Sequence, residues 1–466
     1  MKVSEIANLI RKNKQLFLTG AGGVGKTYSV NRIASRFSNV IRLGSTNMSA
    51  QAIGGDTVHA FFGLGLANNE IELEARDNDY IDWFTSNVKN DRGLAQRTLL
   101  KKIRQPLEKC ELIIIDEVSM ISASVLDLIY LRLEQCNLTH LPILFVGDLY
   151  QLPPVSKEYE AKLIFNSPHW NPVILELTEI KRTDNKQFAE IQKHIRLGLY
   201  TREAHEVLES IQSNTYAPDY NPIILTPTNA QAVAINQKRL AELDTPTIIS
   251  EGRVESSIKD PQRIQKILED NFIVDRVMEF KVGASVIFTQ TSKEQGYYNG
   301  MQATITDIID HAPSSLTLEV TDKRGTKHAV SFVEYSRKRV QSNPKTGALE
   351  YVKEVSLWQL PIKPAYAITI HKSQGMSLAE VQIECSRMFE AGQFYVALSR
   401  ATDPSKVKLI NFDRKYVRIH NEAIKSYFSS AEVKQVTDIE DDDNEYVLDK
   451  QGLAELRLRW GWGALR

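Results

Sequence analysis

The chain has 466 residues, with 57 Lys plus Arg against 58 Asp plus Glu and a formal net charge of −1. At roughly 150 residues per domain this length suggests about three domains, and the near-zero charge excludes both a bulk-basic nucleic-acid coat and an acidic solvating chain. A hydrophobic fraction of 42% beside 25% charged residues suffices for a buried core and excludes wholesale disorder.

Cys110, Cys136 and Cys385 are the only cysteines and lack CxxC spacing, which excludes a disulfide framework and a cysteine zinc site. The first residues carry charge every few positions, without the apolar stretch of a signal peptide. No run of about 18 apolar residues follows. The expectation is a soluble chain of a reducing compartment, cytoplasmic or otherwise intracellular, without a membrane partner.

In chain order, four short apolar runs read as strands: Leu16 to Thr19, Val40 to Leu43, Leu112 to Ile115 and Ile143 to Val146. Helix-like segments separate them, the pattern of a parallel sheet covered on both faces. Each run ends in a polar or glycine-rich segment: GAGGVGKT, GSTNMSA, DEVSM and GDLYQLPP. In an open α/β sheet ligands bind at the carboxyl ends of the strands, so these four segments describe one site. A second α/β unit begins near residue 176, with Ile223 to Leu225 leading into a helix. Residues 275–356 change to short β-branched runs with turn signals, the texture of a small antiparallel barrel or sheet. The α/β pattern resumes in AYAITI, VQIEC and VKLINF.

The expected organisation is therefore a first unit over 1–175 with a short insertion near 65–95, and a second unit over 176–274 and 357–430. An inserted barrel occupies 275–356. Residues 431–445 hold seven acids and one lysine, so 431–466 reads as an acidic linker followed by a tail in which Trp460 and Trp462 sit among arginines.

GAGGVGKT at 20–27 has a strand before it and an amphipathic helix after it, the context of a P-loop. The glycines Gly20, Gly22, Gly23 and Gly25 let backbone N–H groups close on phosphate oxygens, Lys26 reaches the β and γ phosphates, and Thr27 coordinates Mg²⁺. Asp116 and Glu117 supply the two carboxylates that such a site requires, one for the Mg²⁺ shell and one to orient the attacking water. Gln151 stands where it can sense a γ-phosphate or that water. A proline-stiffened loop accounts for the same residues equally well on physical grounds.

The motifs GAGGVGKT, STNMSAQAIGGDTVHAFFG, IIIDEVSM, GDLYQLPPV, LTEIKR, LTPTNAQAVAIN, AYAITIHKSQGMS and GQFYVALSRA, in this order, resemble superfamily-one DNA helicases of the Pif/RecD-like type, the Pif family above all. The resemblance covers about 400 residues and implies two RecA-like motor units with a small inserted barrel and a pin element. It implies an ATP- and Mg²⁺-dependent motor that moves 5′ to 3′ on single-stranded DNA and opens duplex junctions. It further implies arginine fingers at Arg182 and Arg400 from the second unit, and Gly375 as a further nucleotide-site residue. Single-strand contacts are implied at Ser45, Thr46, Asn47, His59 and Phe61 and at Thr369, His371 and Lys372. For Phe61 core packing is an equal reading.

One departure stands out: relatives place a glutamine ahead of the first strand, whereas here the earliest, Gln15, abuts it. Two basic stretches, eight Lys or Arg against two acids in 1–60 and eight against three in 321–353, offer an electrostatic footprint for nucleic acid. The expected state is a monomer with single-strand-binding or replication proteins as partners. The competing reading is a motor subunit of a larger recombination complex that translocates without unwinding alone.

Overall fold

The computed structural model describes residues 1–65, 67–154, 163–216, 222–292, 294–312, 315–342, 349–417 and 422–441. Trp460, Trp462 and the acidic run beyond 441 lie outside the described residues.

The first unit is built on a wholly parallel seven-stranded sheet. Its strands are β1 (Gln15–Gly20), β2 (Val40–Gly44), β3 (Asp56–Thr57), β4 (Leu112–Asp116), β5 (Ile143–Val146), β6 (Val173–Leu177) and a last strand, Val433–Val436. They run in the order Val433–Val436, β6, β1, β5, β4, β2, β3. Successive side chains of a strand point to opposite faces, and here both faces are covered. Leu16 and Leu18 join Leu112, Ile114, Leu144 and Val146 beneath helices α1 (Val3–Asn13) and α2 (Lys26–Ala34). Phe17 joins Ile113, Ile115, Ile143 and Phe145 against the helix Ala123–Gln135. Two-sided burial explains why these strands read as unbroken apolar runs.

The second unit carries a parallel four-stranded sheet ordered Ala367–Thr369, Ile223–Thr226, Val381–Glu384, Val407–Ile410. Its Ile223, Leu225, Ile383 and Val407 belong to the same buried cluster as Phe17 and Phe145, so one apolar core runs through both units.

The antiparallel insert has its own core, including Phe280, Phe288, Ile305, Leu318 and Leu357. Five strands lie in the order Lys327–Val330, Ser315–Asp322, Gln302–Ala312, Ser285–Phe288, Ile362–Pro364, and a three-stranded sheet joins Val333–Ser342, Leu349–Gln359 and Arg253–Ser256. The change of texture comes earlier than the expected residue 275: Thr247–Glu251 already pairs antiparallel with Val277–Lys281. It also ends later, because Ile362–Pro364 pairs with Ser285–Phe288.

Three further expectations are corrected. The boundary at 175 cuts through β6, which pairs with β1 along its whole length. The short insertion expected near 65–95 runs on to residue 107 as two helices, Glu70–Asn87 and Arg92–Leu107, capped by the side chains of Asn69 and Asp91. The expected linker begins with the strand Val433–Val436, in parallel register with Ile174 to Leu177. An edge strand has one partner and one open side, so VKQV serves without an apolar run.

Candidate nucleotide site and nucleic-acid interface

The P-loop leaves β1 at Gly20 and enters α2 at Gly25, whose left-handed backbone (φ +87°) makes it an N-cap without a side-chain cap. The first N–H groups of the helix therefore face outward as an anion site. Gly23 is required twice over: its φ is +89°, and a β-carbon there would lie 2.6 Å from Cβ of Arg182. Lys26 folds back on its own loop, Nζ donating to the carbonyls of Gly20 (2.7 Å) and Ala21 (3.1 Å). Burial pulls its pKa down, while Asp148, Glu117 and Asp116 oppose that shift. Thr27 is half-buried in the first helical turn.

At the end of β4, burial and the neighbouring Glu117 push the carboxyl of Asp116 up to about 7. Asp116 Oδ1 accepts from the Glu117 amide at 2.9 Å. Glu117 adopts φ +55°, and its Oε2 is buried without a hydrogen-bond partner. Two crowded carboxylates with an unsatisfied oxygen are a hard-oxygen set suited to a divalent cation held through one or two protein oxygens and phosphate.

A polar relay closes the site from the second unit. The Gly22 amide donates to the Tyr395 hydroxyl at 2.7 Å, and that hydroxyl donates to Asp148 Oδ2 at 2.7 Å. Arg196 holds the other oxygen, Nε to Asp148 Oδ1 at 3.0 Å, and donates through Nη1 to Glu176 at 2.7 Å. Burial alone would lower the Arg196 pKa, but Asp148, Tyr395 and Glu176 outweigh it and raise the value. Burial and Asp148 push the Tyr395 phenol well above its usual range, so it stays protonated and able to donate.

Gln151 is buried and accepts from Gln374 Nε2 at 3.4 Å, a contact between the two units. Arg182 donates to Ser377 Oγ (3.0 Å) and the Ser399 carbonyl (2.6 Å), and burial beside Arg400 draws its pKa down to about 9. Arg400 donates to the Val396 carbonyl (3.0 Å) and Ser399 Oγ (2.9 Å), and burial lowers its pKa as well. Among the described residues neither arginine is paired with a carboxylate. Arg400 belongs to the second unit as expected. Arg182 does not: it lies on the connection leaving β6, next to Lys181, whose amide donates to the Gly23 carbonyl at 2.8 Å. Gly375 has φ +77° and open space where a β-carbon would stand, so its backbone conformation is what calls for glycine.

Of the expected strand contacts, Ser45 follows β2, where its amide donates to the Asp116 carbonyl (3.1 Å) and its hydroxyl is buried without a partner. Thr46 and Ser49 exchange hydrogen bonds, with Oγ1 and Oγ 3.0 Å apart, and Asn47 opens the helix Asn47–Ala52. His59 is half-buried, and desolvation lowers its pKa. Of the two readings of Phe61 the structure favours core packing: it is 7% exposed and packed edge-on to Phe62 at 4.8 Å. In the second unit Thr369 is buried, its Oγ1 accepting from the Lys372 amide at 3.2 Å. His371 Nε2 lies 3.2 Å from Glu390, and Lys372 is exposed.

Sequence reading missed Asp148, Tyr395, Gln374, Arg196 and Glu176. The first three sat inside quoted motifs without an assigned role. Arg196 and Glu176 lie on an ordinary amphipathic helix and a strand with no local signal. Among the described residues no helix is long and apolar enough to cross a membrane.

A P-loop sheet faced by Tyr395 and Arg400 of a second α/β unit, with Arg182 on the connection between the two, defines a two-unit motor ATPase. The AAA domain family matches residues 4–214. The ATP-dependent DNA helicase Pif1 of Campylobacter jejuni is 33% identical over 430 residues, covering 87% of this chain and 91% of that protein. The rat helicase PIF1 is 28% identical, covering 96% of this chain and 67% of its own length. A Bacteroides Pif1 structure with ADP-AlF4 superposes with a TM-score of 0.74 at 24% identity, covering 92% and 96% of the two chains. A Bacteroides Pif1 complex with ADP-AlF3 and ssDNA gives 0.58 at 25% identity, with the same coverage. The chain belongs to the Pif1 family of ATP-dependent DNA helicases.

Proposed function

We propose that the chain is an ATP-dependent DNA helicase that moves 5′ to 3′ along single-stranded DNA and opens duplex at junctions. The observation that carries this reading is the closure of the P-loop by Tyr395, Arg182 and Arg400, which couples nucleotide chemistry to the spacing of two units.

Lys26 leaves the Gly20 and Ala21 carbonyls for the β and γ phosphates, exchanging neutral acceptors for charged ones. Arg182 and Arg400 are poised for the same exchange, since their present acceptors are carbonyls and hydroxyls. Glu117, with its unpartnered oxygen, orients the attacking water and takes its proton. Thr27 and Asp116 would hold Mg²⁺, which supplies charge neutralisation at the transferred phosphoryl group. Gln151, bonded to Gln374, transmits the nucleotide state to the His371–Ser373 segment on the proposed strand track. The antiparallel insert guides the strand as a small barrel beside the two helices at 70–107.

The test is unwinding of partial duplexes bearing a 5′ or a 3′ single-stranded tail, with Lys26→Ala as control. Wild type should open the 5′-tailed substrate only, and the control neither. Opening of the 3′-tailed duplex alone reverses the polarity. Robust DNA-stimulated ATP hydrolysis without opening of either overturns unwinding in favour of translocation.

A further inference from the structure

A cleft of about 420 Å³ lies between the second unit and the insert, outside the nucleotide site. That volume is within the range of small-ligand sites, roughly 300–1,000 Å³. One wall is the helix Asn229–Ala241 and the other the 273–279 segment of the insert, while Lys363, Thr369 and Lys372 complete the lining. Thr369 and Lys372 are also expected strand contacts, so the cleft continues the proposed DNA track.

Its charges are unevenly solvated. The side chain of Lys363, half-buried on the strand Ile362–Pro364, makes no hydrogen bond or ion pair among the described residues. Burial and the nearby Lys372 draw its pKa down to about 8, with Asp275 pulling the other way. Asp275 and Glu279 line the opposite wall but are exposed, where water screens them. A desolvated ammonium without a partner, beside a second lysine, is a site for an anion. The wall is firm: the Asn236 side chain donates to the Ala367 carbonyl (2.8 Å) and accepts from the Tyr366 and Ala367 amides (3.0 and 2.8 Å).

We propose that this cleft is a phosphodiester subsite, in which Lys363 and Lys372 take one phosphate of the single strand between them as it passes from the second unit to the insert. The proposal rests on the helicase reading above. Lys363 is thus a strand-binding residue that no motif position marked.

The test is fluorescence anisotropy of labelled oligo(dT) across a salt series, with circular-dichroism melting to establish that each variant is folded. Neutralising one phosphate contact changes the slope of log K against log salt by about 0.7 for single strands. Lys363→Met should flatten the slope by about that amount and weaken binding several-fold at low salt, and Lys363→Arg should restore both. Val233, exposed on the cleft wall, gives a variant independent of the lysines: Val233→Glu should weaken binding by repulsion. Unchanged affinity and slope in folded Lys363→Met, or unchanged affinity in Val233→Glu if Lys363→Met does not fold, overturns the subsite. If inorganic phosphate raises the melting temperature of wild type but not of Lys363→Met while oligo(dT) binding stays equal, the cleft takes a free anion and the strand assignment is overturned. Absence of oligo(dT) binding by wild type overturns the helicase reading itself, a result distinct from all of these.

Discussion

Removing one oxygen, by Tyr395→Phe, tests whether the relay from Gly22 to Asp148 couples the two units. The Tyr395 hydroxyl accepts from the Gly22 amide and donates to Asp148 Oδ2, both at 2.7 Å and both out of solvent. A hydrogen bond to a charged group contributes about 1.5–3 kcal/mol, and a buried donor left unpaired costs about 1–3 kcal/mol. Arg196 still holds the other carboxylate oxygen, so the net loss of attraction between the units is about 2–3 kcal/mol. Every 1.4 kcal/mol is tenfold. The expected result is therefore a fall of about 30- to 150-fold in kcat for DNA-stimulated ATP hydrolysis. The KM for ATP should move by less than about threefold, because Lys26 and the P-loop amides that bind the ground state are intact. The cycle with Asp148→Asn completes the test. Direct coupling predicts that Tyr395→Phe loses much of its effect in the Asp148→Asn background. Costs that add within about 0.5 kcal/mol, or a wild-type kcat, would refute the relay.

The other expectations concern separate parts of the molecule. Gly23→Ala places a β-carbon 2.6 Å from that of Arg182 at φ +89°, so steady-state kinetics should show a loss of kcat greater than the roughly 1–2 kcal/mol of left-handed strain alone; a wild-type rate would mean that Arg182 is not held there. The carboxyl of Asp116 is raised to about 7 against about 3.9 unfolded, so between these values the folded protein holds a proton that the unfolded chain has lost. The Asp116 contribution to nucleotide-free stability should therefore fall as pH rises from about 4 to about 7, so the melting temperature of Asp116→Asn relative to wild type should rise across that range. Arg132, fully buried, pairs bidentately with Asp77 at 2.7 Å and donates to the Phe62 carbonyl at 3.1 Å. Arg132→Met should cost about 3–5 kcal/mol and speed protease cleavage within 70–107 more than elsewhere.

What was legible in the sequence follows from how each element is buried. Strands β1, β4 and β5 lie inside a sheet covered on both faces, so their residues are continuously apolar and their carboxyl ends coincide with the motifs. Asp56–Thr57 and Val433–Val436 sit at the two edges of the same sheet and carry no such run. The helix Glu70–Asn87 buries only Leu73, Ile81 and Phe84, too few to announce a helix among its charges. Phe61 was ambiguous because an aromatic ring suits a core and a base equally, and packing against Phe62 decides between them. Arg196 became visible only in three dimensions: from 48 residues away in sequence, it reaches an aspartate whose motif gave no hint of a partner.

The return of the chain to Val433–Val436 has a mechanical consequence. The polypeptide leaves the first sheet after β6 and re-enters it beside β6, so the second unit is tethered by two neighbouring crossings. A body suspended from one strand can swivel in any direction. Two adjacent suspension points remove most of that freedom and leave rotation about the line joining them. Any rotation of the second unit against the first is expected to follow a hinge axis along that edge of the sheet, a motion that would return Tyr395 to the Gly22 amide of the P-loop.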